Sequence, residues 1–119
     1  MLVGEDIGGG KVAVTVVIRR YFVDDELGDW DIDDEFGIEV AVFRLNVDDV
    51  ADVLSRLDFD YRSGYDDWTV RGADGMQYVV EVYDGIEDYN DLILSGSEKA
   101  IKLALAGFIE YVVRGEWDE

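Results

Sequence analysis

Val12, Val14, Val16 and Ile18 alternate with Lys11, Ala13, Thr15 and Arg19 near the start of the chain. A period of two predicts a strand with one richly apolar face, running on to about Val23. Ile38, Val40 and Val42 alternate in the same way with Glu39, Ala41 and Phe43 and predict a second strand. The two are expected to pair as an antiparallel hairpin joined by a loop of about thirteen residues, against the roughly two to five usual for hairpins. A loop of that length is expected to be functional or disordered.

Asn46 then offers an N-cap, and Val47, Val50, Ala51, Leu54 and Leu57 recur at helical spacing. Asp48 and Asp49 in the first turn complement the helix dipole, and Asp52 can pair with Arg56 one turn on. Phe59 and Tyr61 predict a short strand. Trp68 and Val70 predict another, and Tyr78, Val80 and Val82 its hairpin partner beyond a tight Asp74-Gly75 turn. Arg19, Arg71 and Glu81 are expected on the outer sheet face as cross-strand pairs. Ser95-Gly96-Ser97-Glu98 offers a capping box for a final helix with Ile101, Leu105, Phe108 and Val112 on its core face. Its apolar positions extend round to Leu103, Ile109 and Val113, enough to cover a sheet and also to offer a homodimer contact. The order β-β-α-β-β-β-α gives an α+β fold: an antiparallel sheet of four to five strands with two helices packed on one face. Residues 1–10, ending in three glycines, are expected to be a flexible arm, and 11–119 a single domain.

Charge changes the picture most. The chain carries 29 acidic against 10 basic residues, a formal charge of -19 in 119 residues. From Asp24 to Glu35, eight of twelve residues are carboxylates, and Trp30 and Ile32 sit among them. Hydrophobic content of 49% is that of a folding chain and not of a disordered acidic tail. General electrostatics disfavours nucleic acid and anionic membrane as partners and favours a basic protein surface. If the first strand runs upward, the acidic loop lies at the top with the tail, and Asp48, Asp49, Asp66, Asp67, Asp84, Glu87, Asp88 and Asp91 form a second acidic pole at the bottom.

Cysteine and histidine are both absent, which excludes disulfides, Cys-His and Ser-His nucleophilic machinery and ordinary zinc sites. Asp29-x-Asp31-x-Asp33 begins like a calcium loop, but Asp34 stands where that loop needs Gly and Val40 where it needs a bidentate Glu. The glycines before Lys11 lack phosphate-loop spacing. Paired carboxylates arise by chance in so acidic a chain, and no glycosidase cleft is recognisable. The reading is a non-enzymatic protein without cofactor or metal, soluble and cytoplasmic. The residues expected to bind a partner are Asp24, Asp25, Glu26, Asp29, Trp30, Asp31, Asp33, Asp34 and Glu35 in the loop and Glu116, Trp117, Asp118 and Glu119 in the tail. Trp30 and Ile32 are either interface anchors or a local lid folded back on the sheet.

In length, in charge and in the strand MQYVVEVYD leading to SEKAIKLALAGFIEYVVRGEW, the chain resembles small phage-encoded anti-CRISPR and anti-restriction DNA mimics. One family of CRISPR-nuclease inhibitors is similar over residues 76–117, about a third of the chain. That family opens with a helix where this chain opens with a strand, so its binding mode does not carry over. The resemblance implies competition for the nucleic-acid channel of a defence protein. Carboxylates on alternate positions of an extended segment stand about 6.6 Å apart, a spacing that suits a groove built for phosphates. The same charge pattern serves an immunity protein that plugs a basic toxin nuclease. A third reading is adaptation to molar salt, in keeping with nineteen Asp and with seven Arg against three Lys.

Overall fold

The computed structural model describes residues 14–24, 28–85 and 92–116. The expected N-terminal arm over 1–10 and the expected site residues Asp25, Glu26, Trp117, Asp118 and Glu119 lie outside them. The elements, in chain order, are β1 (Val14–Asp24), β2 (Asp29–Val42), α1 (Val47–Arg56), β3 (Asp60–Arg62), β4 (Asp67–Arg71), β5 (Gln77–Asp84), β6 (Leu92–Leu94) and α2 (Glu98–Val113). The fold is α+β, with six strands in the order β3-β4-β5-β1-β2-β6. Every pairing is antiparallel except that of β6, which runs parallel to β2 with Val40 beside Leu92. Sequence reading missed β6 because three apolar residues have no period to detect.

Alternation sorts each strand onto two faces. Val14, Val16 and Ile18 of β1, Ile38, Val40 and Val42 of β2, Trp68 of β4 and Tyr78 and Val80 of β5 join one buried cluster. Val50 and Leu54 of α1 and Ile101, Leu105, Ile109 and Val112 of α2 close it, so both helices lie on this face. Asn46 caps α1 with a reciprocal capping box: its side chain accepts from Asp49 N–H, and Asp49 accepts from Asn46 N–H. The cap of α2 is Ser97, which accepts from Ala100 N–H; the expected Ser95–Glu98 box is not the one used. Ile109 takes the buried position expected of Phe108, which is only partly covered.

The largest correction concerns the loop between the first two strands. Asp29, Asp31, Asp33, Asp34 and Glu35 are strand: β1 runs to Asp24 and β2 begins at Asp29. Tyr21, Phe22, Val23 and Asp24 pair in turn with Ile32, Asp31, Trp30 and Asp29. The signal for this was the period-two run Asp29-Trp30-Asp31-Ile32-Asp33, masked by the low strand propensity of Asp. Below the arm the register shifts. Arg19 faces Gly37 while Tyr21 faces Ile32, so β2 inserts Asp33–Phe36 against the single Arg20. A bulge of this kind bends a hairpin sharply.

The bend carries the arm back over the face opposite the helices. Trp30 pairs with Val23, six residues beyond Val17, the partner of Glu81. A straight arm would hold Trp30 about 20 Å from that level, at roughly 3.3 Å per residue. Instead Trp30 stacks on Arg62 of β3, 4.6 Å from guanidinium carbon to ring centre. The arm is a flap over the face that bears Val17, Thr69 and Val79, all buried.

Candidate partner-binding surface on the hairpin arm

At the root of the arm, Arg20 and Asp33 form a compact polar knot. Arg20 donates to Asp33 Oδ2 through Nε (3.0 Å) and Nη2 (2.6 Å), and Asp33 Oδ1 accepts from Glu35 N–H (3.2 Å). Arg20 also lies 4.3 Å over the Phe36 ring and 3.5 Å from Asp74, which accepts from the Tyr78 hydroxyl (2.8 Å). Burial pushes the Tyr78 phenol above its ordinary pKa; Arg20 pulls it down, and the bond to Asp74 adds to the rise. Asp33 is therefore buried and spoken for. Its place among the expected partner-binding residues is corrected: it stabilises the bulge that sets the arm's direction.

Above the root, the two faces of the arm differ. Tyr21, Val23, Trp30 and Ile32 share the inner face by alternation. Tyr21 and Trp30 touch, ring centres 6.0 Å apart, and Trp30 lies against Arg62. Trp30 is thus the lid of the two readings the sequence left open, though half of its role is to line a cleft. Phe22, Asp29 and Asp31 share the outer face, and Phe22 is 54% exposed. Asp29 and Asp31 are exposed, as are Asp34 and Glu35 in the bulge. None of these four carboxylates has an ion pair with a described residue. The backbone of Asp24 pairs with Asp29 at the tip.

Most of the described cations are engaged elsewhere. Arg19 pairs with Glu81 (3.1 Å), Arg56 with Asp52 (3.3 Å), Arg62 with Asp67 (2.7 Å), Lys102 with Asp49 (3.3 Å), and Arg114 with Glu110. The Asp52–Arg56 pair expected from spacing is present, and of the three residues expected to pair across strands Arg19 and Glu81 meet each other, while Arg71 donates to Gly75 O. Among the described residues, no group of three or more Asp or Glu is placed to hold a metal ion.

Of the expected bottom pole, Glu87, Asp88 and Asp91 lie outside the described residues, and two of the others are engaged. Asp66 accepts from the Tyr61 hydroxyl (2.7 Å), and Asp67 is buried in a two-pronged pair with Arg62. The bend brings the arm's tip to this corner, so Asp67 and Asp29 line the same cleft. The cleft, about 470 Å³, lies between the arm and the β3–β4 turn. Sequence reading missed it, because Arg62, Tyr65 and Asp67 meet Trp30 only through the bulge. Glu116 is exposed just past α2, whose last turn accepts from Ala73 N–H at the β4–β5 turn. It therefore shares an end with the root of the arm and not with its tip. On α2, Leu103 and Tyr111 face outward, 68% and 43% exposed. No helix is long and apolar enough to cross a membrane among the described residues. No protein-family model, curated protein or solved structure matches this chain.

Proposed function

We propose that this protein is an acidic, nucleic-acid-mimicking inhibitor that binds the basic nucleic-acid-binding surface of a defence protein, a CRISPR effector or nuclease. One observation carries the reading. Asp29, Asp31, Asp34 and Glu35 are exposed and without ion pairs among the described residues, on a hairpin arm that projects from the sheet and folds across it. Asp29 and Asp31 stand on one strand face, at the spacing of about 6.6 Å that alternate positions impose. Such a row meets lysine and arginine side chains evolved for phosphates, and long-range attraction speeds the encounter. Exposed Phe22 beside Asp31 adds an apolar contact that a nucleic acid would supply through its bases.

The protein acts by occupancy, with no chemistry of its own, in the cytoplasm where such defence proteins work. Residues 76–117, which resemble CRISPR-nuclease inhibitors, supply the scaffold strand β5 and helix α2, and the arm supplies the charge.

The test is competition. Purified CRISPR effectors and restriction nucleases, each holding a fluorescent duplex DNA, are titrated with the protein at about 0.1 M and 0.5 M salt. Displacement at low salt that fades at high salt supports the reading. A complete lack of displacement across the panel, with a cooperative fold retained, argues against it. Folding that requires molar salt points instead to halophilic adaptation, and capture of a toxin nuclease points to an immunity protein.

A further inference from the structure

We propose that the cleft between the arm and the β3–β4 turn receives the guanidinium of one arginine side chain from the basic partner. The proposal rests on the reading above for the partner's identity, but not for the chemistry of the pocket.

The lining is suited to a flat cation. Tyr21, Trp30 and Tyr65 line it with aromatic rings and Asp67 and Glu81 with acidic residues, against one basic side chain, Arg62, and Asp29 of the arm's outer face borders it at the tip. The corner already holds one guanidinium. Arg62 sits 4.6 Å from the Trp30 ring centre and 4.3 Å from that of Tyr65. Its Nε and Nη2 each donate to a separate oxygen of Asp67 at 2.7 Å. That fork holds the Arg62 pKa above its ordinary value and neutralises its charge against an incoming cation. The chain's own arginine thus shows how these rings and acids hold a guanidinium.

Room and charge remain for a second one. Tyr65 is 73% exposed, so Arg62 covers only part of its ring. Asp29 has no ion pair among the described residues. Both hydrogen bonds that Glu81 accepts, from Arg19 Nε (3.1 Å) and the Tyr83 hydroxyl (2.9 Å), fall on Oε1. An arginine entering here would stack on an aromatic face and fork onto a carboxylate, interactions that planar guanidinium makes and ammonium does not. Buried arginine anchors beside Trp and Tyr dominate many protein interfaces. The outer carboxylates would then steer the partner, and the cleft would set the register in which it docks.

The test uses the whole protein labelled with ¹⁵N, following the Trp30 indole N–H, assigned by its loss in Trp30→Phe. N-acetyl-arginine amide is titrated alongside its citrulline and lysine counterparts. Arginine is expected to shift the Trp30 resonance saturably, with affinity on the order of millimolar. Citrulline, of the same shape without the charge, should not do so, and lysine should bind more weakly. Asp29→Asn, an exposed change that leaves the fold intact, should weaken arginine about fivefold. No saturable shift, equal binding of citrulline, or lysine matching arginine would each overturn the proposal. The titration needs no partner protein. A positive result beside a failed nuclease panel would remove the inhibitor reading alone, and the reverse outcome would remove only the pocket.

Discussion

One face of the sheet is covered by α1 and α2 and the other by the sheet's own hairpin arm. Under the helices, Val16, Val40, Leu54 and Leu105 are wholly buried in one apolar cluster. Under the arm, Val17 and Val79 are buried, but the arm's own contacts with the sheet are polar and aromatic: Trp30 stacks on Arg62, beside the Arg62–Asp67 and Arg19–Glu81 pairs. Apolar burial is non-directional and contributes roughly 1.5–3 kcal/mol per large side chain. Stacked cations and ion pairs that water can reach contribute far less, about 1 kcal/mol or below. The helix side therefore holds the fold, and the arm side holds a position. Carboxylates carried on the second can change without loss of the first.

Four substitutions grade that contrast. Leu54→Ala empties the helix-side core and should cost about 2–5 kcal/mol in urea unfolding. A cost as small as that of arm-face changes would erase the distinction. Arg20→Ala comes next. It leaves Asp33 buried beside Phe36 without its partner, at a cost of about 2 kcal/mol, less than a fully buried pair because Arg20 keeps some exposure. The double change Arg20→Ala with Asp33→Ala should recover part of the loss. Additive losses would mean the two do not act as a pair. Trp30→Ala should cost only about 1 kcal/mol globally. It should also speed amide exchange of Tyr21–Val23 and Trp30–Ile32 while leaving β5 and α2 protected. Uniform acceleration would show that the arm is part of the core. Asp31→Asn, on the outer face, should change stability by less than about 0.5 kcal/mol.

Alkaline pH offers a separate probe of the arm's root. A phenol whose folded pKa is raised contributes stability that is complete below its unfolded value, about 10, and is lost as pH rises through the folded value. Tyr78, raised first by burial, should therefore weaken the fold above about pH 10. Tyr78→Phe should flatten that limb of the stability curve, measured by urea unfolding between pH 8 and 11. An unchanged limb would assign the effect to the other raised phenols, Tyr61 and Tyr83.

How much of this was legible in the sequence follows from where the forces are local. Strand β1, helix α1 with its Asn46 cap, the Asp74-Gly75 turn and the span of helix α2 follow from local period and turn chemistry, while the cap of α2 fell on Ser97 and not on Ser95. Gly75, at φ +82°, sits where that turn needs a left-handed residue. The arm was hidden because its strand pattern is written in aspartate, and charge pointed to a loop. The bend was hidden because it depends on Arg20 meeting Asp33 across a bulge, a pairing that no spacing announces. Of the candidate site, the exposed carboxylates Asp29, Asp31, Asp34 and Glu35 were readable. The burial of Asp33 and the cleft under Trp30 were not, since both are made by residues distant in the chain.

The most direct test of the account compares the wild type with the Asp29→Asn, Asp31→Asn, Asp34→Asn triple variant. Each is titrated against the nuclease that the competition panel identifies, over a series of salt concentrations. The variant should unfold in urea with at least the stability of the wild type. Its binding should be at least about tenfold weaker at 0.1 M salt, with a shallower dependence on salt. Equal affinity and an equal slope would contradict it, because the arm's outer carboxylates would then not be what the partner meets.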